Sequence, residues 1–462
     1  MYNCLYSSLE HLSLTITSHP GLSVRLNSVI NPTRMSRSHF IGGTVDQGFE
    51  SVKKLFIKNF ELGSDENSQL CVYVGERKVI DLWGTLNTND GYNADTLTTV
   101  FSSTKSITAI MMAMARDRDL LEYSDKISKH WPEFGQEGKE DITIADLMRH
   151  EAGLANLSNP LEIEDMLPEN IKKNAAGEKL VRCVPSYPEG GKREYHAFSR
   201  GCLANEIMRR VDPLNRTLGE FLQKEIASKL QADVYIGCNK PEYFHVKNMP
   251  FMFAMKEGLK KQFGMQSATE STLSTMLGFL YLFRNMMKNK PSVNGFDLTA
   301  VNQPLVRAIE MPSVNGNCSS RGMAVLAAAM ANKGKFQDTR LMKETTWNEM
   351  HSEPTPGDAA GGEFLFTKGG VAFFDKGLRE GYFGWFGYGG SVLQWNPSLK
   401  IGFAYSCTYL FPVIFKFSIL FVSCTKMFYL VWYFEHESSR NASRSGKMFE
   451  KYEELGNKSI QV

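Results

Sequence analysis

The sequence predicts an α+β fold in which both ends of the chain contribute strands to one antiparallel sheet. Two observations predict it. Short runs rich in β-forming residues, each interrupted by turn residues, occur near the two ends of the chain, at 70–83 and at 389–405. Between these runs, apolar residues recur mainly at helical spacing. We therefore expect a sheet flanked by helices, with a mostly helical domain inserted between its two halves.

Changes of composition along the chain indicate where its parts begin and end. The expected parts are a leader over residues 1–41, an α/β domain formed by 42–123 and 300–408 with 436–462, a helical insertion domain over 124–299, and an apolar insert over 409–434.

Composition excludes several classes of function. The 462 residues carry a net charge of +2, with 22% of them charged, so nothing indicates a nucleic-acid partner. The 8 cysteines are dispersed, with neither a C-x-x-C pair nor a cluster with histidine at zinc spacing. The sequence therefore predicts a reducing, intracellular compartment and no structural metal.

The first forty residues are rich in serine and contain Arg25, Arg34 and Arg37 with Glu10 as the one acidic residue. This composition resembles a mitochondrial transit peptide. An incorrectly assigned leader is the alternative, because Met35 stands just before the first segment that could fold. The sequence leaves a cytoplasmic and a mitochondrial location open.

The first elements of the α/β domain follow from apolar spacing. An amphipathic helix is predicted over 42–62 by Phe49, Val52, Leu55 and Phe56. The runs 70–74 and 79–83, separated by a Gly-containing turn, then predict a hairpin.

Ser102 and Lys105 occupy the start of the next predicted helix. That helix is indicated by apolar residues at three- and four-residue spacing, namely Ile107, Ile110, Met111 and Met114. Residues three apart share a helix face, so the two side chains should point the same way. A serine becomes a good nucleophile when a neighbouring base takes its proton, and a desolvated lysine with a lowered pKa can be that base.

Further along, Thr143 and Asp146 predict a capping box at the start of a short helix. His150 near its end has no acidic partner at a useful spacing, which favours a structural role. Residues 155–195 are rich in Pro, Asn, Glu and Gly and predict a long surface loop. A helix over 320–333 and a hairpin of 389–395 with 401–405 complete the pattern.

Four stretches in this order give the chain a resemblance to a known family: FSSTK at 101–105, ITI at 142–144 with HEAGL at 150–154, YHAFSRG at 195–201, and WFGYGGS at 385–391. Over residues 43–406 the chain resembles the serine β-lactamase and penicillin-binding-protein superfamily, in particular its class C-like branch and the related esterases. The resemblance implies the β-lactamase/transpeptidase-like form of the α+β fold.

The resemblance also implies roles for individual residues. Ser102 matches the nucleophile that becomes acylated, and Lys105 matches its helical partner. Tyr195 matches the tyrosine of the second motif, whose phenolate shares the general-base work with the lysine. By the same alignment, the backbone N–H groups of Ser102 and Tyr388 are the two oxyanion donors.

The third motif departs from the family pattern. Trp385, Phe386 and Gly387 stand where lactamases have Lys-Thr-Gly, and we expect them to line the substrate pocket. Gly387 permits a close approach of the strand. Loss of the lysine removes a cation that helps to hold a substrate carboxylate, so the alignment predicts faster turnover of neutral esters than of β-lactams.

These observations predict a serine hydrolase that forms an acyl-enzyme on Ser102 and acts on a small-molecule ester or amide, without a metal or cofactor. Two alternatives stay open. One is a catalytically weak scaffold or assembly protein with this fold, and the other is a peptidase or transpeptidase. The sequence does not decide whether the protein forms a homo-oligomer.

The apolar insert at 409–434 also leaves alternatives. A membrane helix needs about 20 apolar residues with few charges. Pro412, Lys416 and Lys426 interrupt the run and argue against membrane contact. A mistranslated gene segment, such as a retained intron, explains the same composition.

Overall fold

One antiparallel sheet organises the part of the chain that the structure describes. The computed structural model describes residues 39–187, 192–238, 240, 243–248, 292–294, 296–359 and 362–410. Its strands are β1 (Phe40–Val45), β2 (Asn67–Val74), β3 (Arg77–Thr85), β4 (Thr98–Thr99), β5 (Val234–Ile236), β6 (Lys247–Asn248), β7 (Gly316–Cys318), β8 (Lys335–Phe336), β9 (Thr339–Arg340), β10 (Thr355–Ala359), β11 (Gly362–Phe366), β12 (Ala372–Phe374), β13 (Tyr382–Phe386), β14 (Val392–Asn396), β15 (Ile401–Cys407) and β16 (Tyr409–Leu410).

The helices flank this sheet, and most of them come between its two halves in the order of the sequence. They are α1 (Glu50–Glu61), α2 (Thr104–Asp117), α3 (Ile127–His130), α4 (Ile144–Met148), α5 (Pro168–Lys172), α6 (Ala175–Leu180), α7 (Ser199–Val211), α8 (Leu218–Leu222), α9 (Ser228–Leu230), α10 (Pro304–Ala308), α11 (Ser320–Ala331) and α12 (Glu344–His351). A π-helical turn, Gln223–Ala227, joins α8 to α9.

The main sheet has the strand order β1-β3-β2-β15-β14-β13-β12-β11-β10. The strands from the two ends of the chain meet in the antiparallel pair of β2 with β15, in which Val74 lies opposite Ile401 and Ser68 opposite Cys407. Both ends of the sequence therefore meet in one sheet, as the sequence predicts, and the α+β fold class is confirmed.

Alternate residues of the central strands face two different layers. Leu70, Val72 and Phe403 pack with α1 on one face. Cys71 and Ala404, one position along, face the layer that contains α2 and α11. The period of two in a strand therefore divides the core into two clusters, one on each side of the sheet.

The first segment differs from its predicted structure. Residues 40–45, which the sequence assigns partly to the leader and partly to a helix, form the edge strand β1 along β3. The helix begins only at Glu50. Gly43 adopts φ +98, and a Cβ there would lie 1.9 Å from the carbonyl oxygen of Asp81. The paired glycines at 42 and 43 thus favour a close strand contact over a helix, in which glycine is destabilising.

The region predicted as a long loop is also more ordered than expected, because it contains α5 and α6. Its buried apolar side chains include Met166, Ile171, Ala176 and Leu180. Tertiary burial, which composition does not reveal, stabilises these short helices. The capping box of Thr143 and Asp146 is present as predicted, at the start of α4.

The first two residues of the predicted apolar insert belong to the fold. Tyr409 and Leu410 form β16, which pairs in parallel with β6, and Leu410 is only 1% exposed. The remainder of the insert, most of the leader and the predicted closing segment 436–462 lie outside the described residues. The division into an α/β domain and a helical insertion domain stays a prediction.

No helix within the described ranges combines the length and the apolar character that crossing a lipid bilayer requires.

Candidate active site

Ser102 lies in a tight turn immediately before α2. The 3₁₀ turn Phe101–Ser103 leads directly into the helix at Thr104. Phe101 adopts φ +44, a left-handed conformation that is costly for a residue with a side chain and that recurs at functional sites. The Thr104 hydroxyl donates a hydrogen bond to the Phe101 carbonyl oxygen at 2.5 Å and holds this turn. Ser102 is half-buried, whereas the residues on either side of it are buried.

Lys105 points at Ser102 from the first turn of α2, as the three-residue spacing predicts. Its Nζ lies 3.3 Å from Ser102 Oγ and donates to the carbonyl oxygens of Ala197 at 2.8 Å and Ser313 at 3.0 Å. The side chain is only 2% exposed. Burial, and to a smaller extent the charge of Arg200, hold the pKa of Lys105 well below its usual value.

The contacts of Lys105 Nζ suit an uncharged amine. A neutral amine has two N–H groups and one lone pair, and the carbonyls of Ala197 and Ser313 accept the two N–H groups. The lone pair is then left for the hydroxyl of Ser102, which is the arrangement that a general base needs.

Tyr195 completes the group of three that the sequence predicts. Its ring centroid lies 4.8 Å from Lys105 Nζ. Burial raises the pKa of Tyr195 to about 12, although the hydrogen bonds with Ser102 and Trp385 and the charge of Arg200 act in the opposite direction. The phenol therefore keeps its proton at neutral pH, and Lys105 is the better base of the two.

The third motif runs directly against the turn that carries Ser102. Gly387 follows β13, and a Cβ at this position would lie 2.2 Å from the carbonyl oxygen of Val100 and 3.1 Å from the backbone nitrogen of Ser102. Glycine is needed here for space, because its φ of −115° is open to any residue. The hydroxyl of Ser391 donates to the same Val100 oxygen at 2.6 Å. These contacts bring the peptide that leads into Tyr388 next to Ser102.

The two predicted oxyanion donors thus lie on adjoining segments. Ser102 is in the first turn of a helix, where backbone N–H groups have no intrahelical partner. Tyr388 begins the 3₁₀ turn Tyr388–Gly390, and its ring packs against that of Phe101 with centroids 5.7 Å apart. A joint oxyanion role for the two N–H groups stays a prediction.

Trp385 makes a contact that the sequence did not reveal. Its indole Nε1 donates a hydrogen bond to the Tyr195 hydroxyl at 3.0 Å. The ring is 3% exposed and packs among Phe364, Phe366 and Phe386. Trp385 therefore holds the tyrosine hydroxyl in place with a polar edge while most of its apolar surface is buried. A role of Trp385, Phe386 and Gly387 as substrate-pocket residues stays a prediction.

The buried side chain of His150 packs against the ring of Tyr195. His150 is fully buried, and its ring centroid lies 4.9 Å from that of Tyr195. Burial, and after it the charge of Arg200, hold the pKa of His150 well below its usual value. The ring is thus neutral, and its Nδ1 accepts a hydrogen bond from the backbone N–H of His196 at 3.0 Å. The structural role that the sequence favoured for His150 agrees with these contacts.

Arg193 fixes the segment that precedes Tyr195. Its guanidinium pairs with Glu151 and donates to the carbonyl oxygens of Thr355 and Phe364, at the edge of the main sheet. Because Arg193 is two residues before Tyr195, these bonds limit the positions that the tyrosine can take.

Within the described ranges, no group of three or more His, Cys, Asp or Glu side chains is arranged to hold a metal ion.

Comparison with known proteins identifies the family. A sequence model of the family described as Beta-lactamase matches residues 64–414. The chain belongs to this family. The family expected from the four sequence motifs is thereby confirmed.

Individual known proteins resemble the chain at sequence identities of 27% or less. "Esterase/beta-lactamase LipL" of Mycobacterium tuberculosis is 27% identical over 307 residues, which are 65% of this chain and 66% of that protein. A solved family VIII carboxylesterase has a TM-score of 0.70 and 24% identity, covering 85% of this chain and 100% of its own. A penicillin-binding-protein homologue from Caulobacter crescentus has a TM-score of 0.65 and 23% identity, covering 86% and 100%. At these identities the solved structures establish the fold alone.

Proposed function

We propose that this Beta-lactamase family chain is a serine hydrolase that cleaves small-molecule esters or amides through an acyl-enzyme on Ser102. The observation that carries the proposal is the environment of Lys105 Nζ, which lies 3.3 Å from Ser102 Oγ while two backbone oxygens accept its other hydrogen bonds. The esterase names of LipL and of the carboxylesterase support the same class of reaction.

Acylation uses each member of the group in turn. Ser102 Oγ attacks the substrate carbonyl carbon while its proton passes to the lone pair of Lys105. A C–O bond forms, and the π electron pair of the carbonyl moves to its oxygen, where the N–H groups of Ser102 and Tyr388 stabilise the negative charge. When the carbonyl reforms, the alcohol or amine leaves and takes the proton back from Lys105.

Tyr195 is suited to relay that proton. As a phenol it accepts and donates at one oxygen, and the N–H of Trp385 fixes where this oxygen lies. Deacylation reverses the roles: water gives a proton to the Lys105 and Tyr195 pair and adds to the acyl carbon. The carboxylic acid then departs as Ser102 regains its proton.

The charges around the site favour a neutral substrate. Three cations belong to the segments around the site, namely Lys105, Arg200 and Arg193, and they are 2%, 1% and 7% exposed. All three are enclosed, so none presents its charge to a bound carboxylate. Trp385, which stands at the place of the family lysine, adds an uncharged N–H that Tyr195 already uses.

We therefore expect the value of kcat/KM for a neutral p-nitrophenyl ester to exceed that for an anionic chromogenic cephalosporin. A hydrogen bond to a charged group contributes about 1.5 to 3 kcal/mol, so its loss should weaken recognition of the carboxylate by roughly 10- to 100-fold. Both substrates are to be measured on one preparation, with Ser102→Ala as the control that assigns both activities to this site. A higher value for the cephalosporin would contradict the neutral substrate class.

A further inference from the structure

Arg200 is a buried cation next to the proposed base. It is the second residue of α7 and lies five positions after Tyr195 in the sequence. Its side chain is 1% exposed and is among the largest that the described core encloses. Its Nη2 donates to the backbone oxygen of Lys105 at 3.2 Å, so the guanidinium lies directly behind the helix turn that carries the base.

The hydrogen bonds of Arg200 compensate its charge poorly. Its Nη1 lies 3.2 Å from Nε2 of His150. A neutral imidazole accepts at one nitrogen only. Because Nδ1 of His150 already accepts from the backbone N–H of His196, Nε2 is not an acceptor for Arg200. The Nε group of Arg200 is buried without a hydrogen-bond partner in the described part of the protein.

Two other arginines in this region, the buried Arg193 and the half-buried Arg210, are paired with carboxylates. Arg193 pairs with Glu151, and Arg210 pairs with Glu206. Arg200 has no ion pair with any carboxylate among the described residues, although an unpaired charge in the interior is costly. A charge of this kind shifts the pKa of the titratable groups that it faces.

The titratable groups that face Arg200 and Lys105 come from several elements, and none of them is a carboxylate: Tyr123, His150, Tyr195, His196 and Cys202, with the cation Arg193 beyond His150. Burial keeps His196 neutral by lowering its pKa to about 4. Burial likewise raises the pKa of Cys202 to about 12, so the thiol stays uncharged. Arg200 is therefore the charge that acts on Lys105 most directly.

We propose that Arg200 is a positioning residue of the acyl-transfer site, whose enclosed positive charge keeps Lys105 unprotonated and ready to accept the proton of Ser102. This inference rests on the proposed function. Through its bond to the Lys105 carbonyl, Arg200 also fixes the helix turn that aims the amine at Ser102.

The electrostatic directions agree with this geometry. Burial is the larger cause and the Arg200 charge the next cause of the lowered pKa of Lys105. The same charge lowers the pKa of Tyr195, against the larger effect of burial. Burial lowers the pKa of Arg200 itself to about 10, so the guanidinium stays protonated at neutral pH. One cation therefore disfavours the protonated form of both partners of Ser102.

The sign of the expected pH effect follows directly. A lysine base is active in its neutral form, so the labelling rate falls about tenfold for each pH unit below the pKa of Lys105. Removing a nearby positive charge raises that pKa. The rising limb of the pH profile should then move to higher pH, by roughly one to two units for a charge about 6 to 12 Å away at an effective dielectric constant near 20.

The experiment measures the rate at which a fluorophosphonate labels Ser102 between pH 5 and about 10.5, by intact mass, in the full chain. Arg200→Met should move the midpoint of the rising limb up by roughly one to two pH units, while Arg200→Lys, which keeps the charge, should leave the midpoint within a few tenths of a unit of the wild type. Arg340→Met, at an exposed position in β9, is the matched control for the lost net charge and should not shift it.

The outcomes separate the two proposals. An Arg200→Met midpoint equal to that of the wild type, even with a lower rate, would show a packing role and overturn the inference alone. A wild-type midpoint near the usual lysine value of about 10.4 would overturn it as well. If Arg200→Met lacks a cooperative melt, Arg200→Gln, which keeps donors for the Lys105 carbonyl without the charge, decides by the same shift. Failure of the wild type to be labelled on Ser102 would overturn the proposed function together with the inference.

Discussion

Replacing Ser102 by alanine is expected to abolish covalent labelling by a fluorophosphonate and to lower ester hydrolysis by about 10⁴-fold or more, because the acyl group then has no oxygen to bond to. The fold should be retained. Ser102 is half-buried and small, so its hydroxyl contributes about 1 kcal/mol or less to the free energy of unfolding. Intact-mass analysis and a thermal melt of the same sample measure the two effects separately.

Ser106 provides the matched control for this substitution. It lies in α2, about one turn beyond Ser102, and its buried hydroxyl has no hydrogen-bond partner among the described residues. Ser106→Ala should therefore keep both labelling and hydrolysis. Labelling of the Ser102→Ala protein at the wild-type stoichiometry would mean that the nucleophile lies elsewhere in the chain.

The second large effect concerns the base. Lys105→Ala and Tyr195→Phe should each slow acylation by about 10² to 10⁴-fold, the usual range for loss of a general base. The loss should be the greater at Lys105, because the pKa of Lys105 is lowered whereas burial raises that of Tyr195 to about 12. The double variant should lose less than the product of the two factors, since both groups act on one proton. Pre-steady-state labelling rates measure all three.

Lys139 is a close structural match to Lys105. It is also buried, and its Nζ donates to the backbone oxygens of Val181 and Cys183, away from Ser102. Lys139→Ala should therefore destabilise the fold to a similar extent while the labelling rate stays close to that of the wild type. Multiplicative losses in the Lys105→Ala and Tyr195→Phe double variant would instead indicate that the two residues act in separate steps.

Sequence was most informative where structure depends on neighbouring residues. The hairpin of β2 and β3, the helix α2 and the capping box at Thr143 all follow from local spacing and appear in the structure. The strand β1 does not, because its partner β3 lies beyond the intervening helix, and pairing with it outweighs the helical pattern that begins nearby.

The same distinction holds in the candidate site. The spacing of Ser102 and Lys105 was sufficient to place them together. The acceptors of Lys105 are backbone oxygens of Ala197 and Ser313, and every residue type has such an oxygen, so no sequence signal reveals them. The bond from Trp385 to Tyr195 and the position of Arg200 likewise arise from segments distant in sequence that meet only in the folded chain.

The pairing of β2 with β15 has a consequence for protein synthesis. The strand β2, in the interior of the sheet, is made early, but one of its two neighbours, residues 401–407, leaves the ribosome only after the whole helical region has been translated. Until then the edge of β2 is unpaired and its apolar residues lack part of their cover. Such long-range pairing slows folding and exposes a strand to other chains. We therefore expect the nascent protein to depend on chaperones until β15 has emerged, and to become able to react at Ser102 only afterwards.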